Sequence, residues 1–238
     1  MKHAFRFSMV LMLIFGLSSM ASAYQATFFG EDEGLGESTR LTTWANASAA
    51  EAQFKANLIG IGTETFESYG DNTYAPLAIS FGSAGTATIN GTGYVNQVTS
   101  GTNGVGRYPI SGTKYWETGS SFYIDFSAPV AAFGFYGIDI GDFDGQVTVT
   151  LSNGETVFYN VGNSTEITGG SVLYWGVIDT ERLFTRVAFG NTEEGTDFFG
   201  FDDMTIGSRE QVVPSPEPTT MLLLGLGVLG LAGLRKRN

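Results

Sequence analysis

Three carboxylates and two glycines stand together at Asp139-Ile140-Gly141-Asp142-Phe143-Asp144-Gly145. Closely spaced hard oxygens on a short turn are what calcium requires, since it takes about six to eight oxygen ligands. Asp139, Asp142 and Asp144 are therefore candidate calcium ligands. The EF-hand spacing is absent, because with Gly145 at its invariant glycine Ile140 falls at the first ligand and Leu151 at the closing glutamate. A solvated turn in which Asp and Gly simply meet the backbone demands explains the same residues. A second acidic run, Glu31-Asp32-Glu33, reads as a solvated segment.

Arg107-Tyr108 and Lys114-Tyr115-Trp116-Glu117 lie between glycine-rich stretches. Aromatic faces with polar neighbours can hold a sugar ring, burying its C–H surface while charged side chains bond its hydroxyls. Arg107, Tyr108, Tyr115 and Trp116 are thus the candidate ligand-binding set, against the alternative that the rings only cover one end of the fold.

Much chemistry is excluded by residue type. The chain has no cysteine, and His3 is its one histidine. If the first 23 residues are removed, histidine- and cysteine-dependent nucleophile systems and HExxH zinc sites are ruled out. Between Tyr24 and Ser215 there are 23 Asp and Glu against 7 Lys and Arg. Nucleic acid, whose binding needs clustered cations, is not expected as a partner. Paired carboxylates remain open to glycoside chemistry, but no pair stands out, and no catalytic residue is assigned.

These residues need a scaffold, and the pattern between them is mostly that of strands. Apolar and β-branched runs recur at 65–69, 77–81, 84–90, 94–98, 122–126, 130–136, 146–152, 156–161, 172–178, 184–189 and 198–206. Val147, Val149 and Leu151 alternate with Thr148 and Thr150, and Asn153-Gly154 follows as a hairpin turn. Tyr174-Trp175 sits in an apolar run and reads as core. The expectation is an all-β, two-sheet antiparallel sandwich of jelly-roll type spanning residues 24–212. One short helix interrupts it over about 48–60. Ser48 and Glu51 form its capping box, and its apolar face closes one end of the sandwich.

The two ends of the chain carry a different message. Lys2 and Arg6 precede an apolar stretch from Met9 to Leu17, and Ala21-Ser22-Ala23 follows. That is the layout of a secretory signal over residues 1–23, cleaved between Ala23 and Tyr24. At the other end, a proline-rich linker over 213–220 contains Pro216-Glu217-Pro218. Met221 to Leu234 is then apolar or glycine, and Arg235-Lys236-Arg237 follows. Extended by two residues as a helix, this segment is about 24 Å long against a hydrocarbon core of about 30 Å. Residues 221–238 are expected to be a short transmembrane helix with a cytoplasmic basic stop.

Pro-Glu-Pro, a short Gly/Leu-rich span and a basic cluster, in that order, resemble the PEP-CTERM sorting signal. The resemblance implies recognition by an exosortase-like membrane protease and cleavage near Pro216-Glu217-Pro218. It also implies transient anchoring in the inner membrane before delivery to the cell envelope, surface or exterior. Thr65-Phe66-Glu67 and Gly200 to Ile206 resemble the first and last core strands of carbohydrate-binding-module jelly rolls. In such folds a structural calcium often links those strands, which nominates Glu67, Asp202 and Asp203. Together these features lead to an exported, non-catalytic surface or matrix protein whose further partner is an extracellular polysaccharide. A carboxylate-dependent glycan-active enzyme is the alternative.

Overall fold

Residues 24–140, 146–161, 169–190 and 198–213 are described by the computed structural model. Among them the chain forms β1 (Gln25–Asp32), α1 (Ala45–Ala56), β2 (Gly62–Glu64), β3 (Thr73–Tyr74), β4 (Leu77–Ser80), β5 (Thr86–Gly91), β6 (Tyr94–Gln97) and β7 (Lys114–Thr118). The order continues with β8 (Phe122–Val130), β9 (Ala132–Ile138), β10 (Gln146–Leu151), β11 (Thr156–Asn160), β12 (Val172–Asp179), β13 (Phe184–Gly190) and β14 (Phe199–Gly207). The expected two-sheet antiparallel sandwich with one helix near its start is what forms.

The larger sheet has the order β1-β12-β9-β14-β7-β6-β3, with β2 paired to β14, and the smaller has β11-β10-β13-β8-β5-β4. Every strand pairing is antiparallel. Between the sheets lies an aromatic core. Phe122 and Phe189 from the smaller sheet stack at 4.4 Å, and the edges of Phe135 and Phe201 from the larger sheet meet Phe189 at 5.0 and 5.1 Å. Trp116 and Trp175 complete this layer.

A second apolar layer sits on the outside of the larger sheet. There Ala47, Ala50 and Phe54 of α1 pack on Tyr136, Ile138, Val172, Tyr174 and Ile178. This explains why β9 and β12 are buried along their whole length, whereas strands of the smaller sheet alternate. Gly134 and Gly176 are cross-strand partners beneath the helix. A Cβ at Gly176 would lie 2.9 Å from the Phe54 ring, so the glycines form the seat that lets the helix approach.

The helix therefore covers a sheet face rather than closing an end. It starts before Ser48, so Ser48 and Glu51 are interior to it and make no capping box. Its entrance is satisfied from a distance instead. Asp32 at the end of β1 accepts the backbone N–H groups of Asn46 at 3.2 Å and Ala47 at 2.9 Å. The acidic run at 31–33 is thus ordered by the helix it caps, and Glu51 accepts the Tyr136 hydroxyl at 2.8 Å.

Residues 65–69 turn instead of forming a strand. The carboxylate of the buried Glu64 accepts the Phe66 N–H at 2.7 Å, and Phe66 adopts a φ of 60° with its ring in the core. Residues 25–32 and 114–118 carry strands that the apolar pattern did not mark.

Candidate functional site

Both sheets have an outer face, and the described residues nominated from sequence lie in or beside the larger one. On the larger sheet, Tyr108, Tyr115 and Trp116 are 0 % exposed and Arg107 is 6 % exposed. A sugar-binding surface on these four residues is ruled out by that burial, because no ring face reaches solvent. Lys114–Thr118 is strand β7, lying between β14 and β6, with Trp116 pointing into the inter-sheet core. The polar residues flanking the two rings in sequence resemble a loop, and only pairing on both sides makes them a strand.

Arg107 and Glu117 form the centre of a buried polar network. Arg107 Nε donates to Glu117 Oε2 at 3.0 Å, and its Nη1 donates to Phe198 O at 3.0 Å and to Asp139 Oδ2 at 3.3 Å. Glu117 also accepts the hydroxyls of Tyr94 at 2.6 Å and Tyr115 at 2.7 Å, and the amide of Asn103 at 2.9 Å. Burial alone would raise the Glu117 pKa, but the two tyrosine hydroxyls and Arg107 outweigh it and hold Glu117 below the usual value. The network fixes the 98–113 segment over the sheet.

The carboxylates nominated for calcium do the same work. Asp202 is 0 % exposed; its Oδ2 accepts Ile110 N–H at 2.8 Å and Ser111 N–H at 3.1 Å, and its Oδ1 accepts Asp203 N–H at 2.7 Å. Asp203 accepts the Ser111 hydroxyl at 2.6 Å, and Glu67 accepts Thr113 and Lys114 N–H at 2.7 and 2.6 Å. Both Asp202 oxygens thus face amide protons, while Asp203 and Glu67 act as acceptors that tie down residues 111–114. Asp139 accepts Gly170 N–H at 2.9 Å besides its contact with Arg107. Asp142 and Asp144 lie outside the described residues, as do the sorting residues Pro216, Glu217, Pro218, Arg235, Lys236 and Arg237 and the signal residues Ala21 and Ala23. Among the described residues no group of three acidic or histidine side chains is placed to hold a metal. Tyr24 donates its N–H to Thr180 Oγ1 at 2.9 Å.

The outer face of the smaller sheet is different. Register aligns Asn90, Tyr123, Ala188, Thr148 and Phe158 in one row across β5, β8, β13, β10 and β11. The next row holds Ala78, Thr88, Asp125, Arg186, Thr150 and Thr156. Tyr123 and Phe158 stand three strand spacings apart, about 14 Å. Arg186 grips Asp125 with Nε at 2.5 Å and Nη2 at 2.9 Å, and its guanidinium lies 4.1 Å over the Tyr123 ring. Asn90 Nδ2 donates at 3.3 Å to Asp125 Oδ2, the oxygen that Arg186 Nη2 also bonds. These side chains are fixed yet reachable: Arg186 and Asp125 are 42 % and 40 % exposed, and Phe158 is 67 % exposed. A depression of about 520 Å³ lined by Ala78, Ser80, Thr86, Thr88, Asp125 and Ser127 continues the rows to the sheet edge. Sequence reasoning missed this surface. Its one legible signal was the Thr148/Thr150 side of the alternation in β10, whose neighbours come from distant strands.

The far C-terminus is recognised by its sequence. Residues 216–237 match the PEP-CTERM protein-sorting motif. The chain carries a PEP-CTERM sorting signal. It is thereby marked for export and for sorting to the cell envelope or surface. No curated protein matches the chain. Among solved structures, the K2 cleaved adhesin domain of Lys-gingipain aligns with 62 % of this chain and 97 % of its own at 14 % identity, with a TM-score of 0.37. A family 29 carbohydrate-binding module aligns with 65 % of this chain and 98 % of its own at 13 % identity and a TM-score of 0.32. A xylan-binding domain of the family 22 modules covers 63 % and 96 % at 11 % identity and 0.33. No residue role is carried from them to this chain.

Proposed function

We propose that this PEP-CTERM protein is a non-catalytic glycan-binding protein of the cell surface or extracellular matrix, which binds saccharide on the outer face of its smaller sheet. The observation that supports this is the Tyr123–Arg186–Asp125 arrangement. It is a partly buried aromatic ring with a fixed charge pair beside it, on a face lined by Thr88, Asn90, Thr148 and Thr150. A tyrosine and a phenylalanine about 14 Å apart across this face suit an extended saccharide lying over several strands, with hydroxyls meeting the polar rows. In this reading the signal peptide ends at Ala23, and an exosortase-like protease acts near Pro216-Glu217-Pro218 after the apolar tail has engaged the inner membrane.

A catalytic role is less well supported by this face. Glycoside hydrolysis uses two carboxyl groups roughly 5–9.5 Å apart. Among the described residues Asp125 is the sole carboxylate in the two rows, and Arg186 neutralises it. The test is a glycan array with the exported protein, followed by titration of the best ligand against Tyr123→Ala and a reducing-sugar release assay. Loss of one aromatic contact should weaken binding roughly tenfold without changing the melting midpoint. Sugar release abolished by one Asp or Glu substitution would replace binding with catalysis.

A further inference from the structure

Residues 38–44, between β1 and α1, bound a cleft of about 600 Å³ on the outer layer of the larger sheet, whereas Tyr123 belongs to the smaller one. Arg40, Trp44 and the hydroxyl residues Ser38, Thr39 and Thr42 line it, with Gly101 opposite. Four of the seven cations between Tyr24 and Ser215 are held by carboxylates, namely Lys55, Arg107, Arg182 and Arg186. Arg40 has no such partner among the described residues. Its guanidinium lies 5.1 Å over the Tyr108 ring, and one Nη2–H bonds the Pro109 carbonyl. Among the described residues the remaining guanidinium donors have no acceptor, and neither do the hydroxyls of Ser38, Thr39 and Thr42.

Arg40 is also fixed in place. The Tyr108 ring below it is fully buried, and the Tyr108 hydroxyl donates to Gly170 O at 2.7 Å. Trp44 packs one part of its ring on the outer apolar layer and presents the rest to the cleft. A planar cation, an indole surface and three free hydroxyls within one small cleft match a ring that is apolar on its face, hydroxylated at its edge and acidic at one position. A guanidinium pairs with a carboxylate through two parallel hydrogen bonds, a geometry that a neutral hydroxyl cannot satisfy.

We infer that this cleft binds a uronic-acid unit of a glycan, with Arg40 on its carboxylate and Trp44 against its ring. The excess of acidic residues in the domain opposes a densely charged polyanion, so the fitting ligand is one acidic sugar, isolated or at a chain end.

The test uses the exported protein with methyl β-D-glucuronide and methyl β-D-glucoside as probes. Trp116 and Trp175 are buried, which leaves Trp44 as the tryptophan whose fluorescence and indole N–H resonance report a ligand. The glucuronide should shift the Trp44 signal saturably, with the glucoside at least fivefold weaker. Arg40→Gln should weaken the glucuronide at least tenfold while keeping the melting midpoint, and Tyr123→Ala should leave it unchanged. Equal affinity for the two probes, no response to the glucuronide, or full binding by Arg40→Gln would each overturn the assignment. Loss of binding in Tyr123→Ala would overturn it too, by moving the site to the smaller sheet. If Arg40→Gln fails to fold, Arg40→Lys, which keeps the charge but loses the paired donors, should still cost several-fold, and its failure to do so also counts against the proposal.

Discussion

The two outer faces of the sandwich carry the same kinds of residue and use them in opposite ways. On the larger sheet Glu117, two tyrosines and Asp139 lie under the 98–113 segment, and their polar atoms hold that cover down through Arg107 and Asn103. On the smaller sheet an Arg–Asp pair lies open to solvent over a partly buried tyrosine. The difference is one of cover: a buried charge must be neutralised within the protein, whereas an exposed one remains available to a ligand. Residue type therefore says little about role until the layer above the sheet is known.

The comparison breaks most directly at its buried pair. Glu117→Ala would take from buried Arg107 its closer carboxylate partner, leaving Asp139 at 3.3 Å, and from two tyrosine hydroxyls their acceptor, at a cost of about 3–5 kcal/mol. Chemical denaturation measures it, and a loss below about 1 kcal/mol would mean that the network is as solvated as the open face.

Asp202 tests the same covered face through pH. Burial, and then the neighbouring Asp203, push its carboxyl well above the usual range despite three amide donors. A raised carboxyl pKa means that the folded form holds its proton more tightly than the unfolded chain. Its stabilisation is thus greatest at acid pH and declines as pH rises from the unfolded value of about 3.9 through the folded one. Glu117, held low, contributes in the opposite sense, losing its stabilisation as pH falls through its folded value. Asp202→Asn should cost about 1 kcal/mol at acid pH for a lost acceptor, and the deficit should narrow towards neutral pH. Denaturation midpoints at pH 4.5 and 7.5 check the trend, and a deficit that widens would contradict it.

The smallest effect is expected on the open face. Asp125→Ala removes a well-formed ion pair, yet at 40 % exposure its loss should cost about 0–1 kcal/mol of stability. If it instead costs as much as the buried pair, the open face is a structural surface and not a binding one.

Several elements were legible from residue order alone. The alternation at 147–151 gave a strand with one wet side, and the runs at 132–138 and 172–178 lack alternation because both of their sides are covered. The helix was visible, but its start was not, because the group that caps it is Asp32 on a strand and not the local Ser48. The Lys114–Thr118 strand was hidden for a related reason. Its one buried charge, Glu117, is paired with Arg107, which lies ten residues earlier and outside the strand.

Composition and linear motifs determined that this protein has no histidine or cysteine chemistry beyond His3, that its body is a β-sandwich and that its tail bears a sorting signal. Such properties depend on residue identity and short-range spacing, which sequence contains in full. Tertiary structure alone decided which carboxylates are anchors, which aromatic rings meet solvent and where the helix lies. Those outcomes depend on contacts between strands far apart in the chain, and burial changes the cost of a charge more than its identity does.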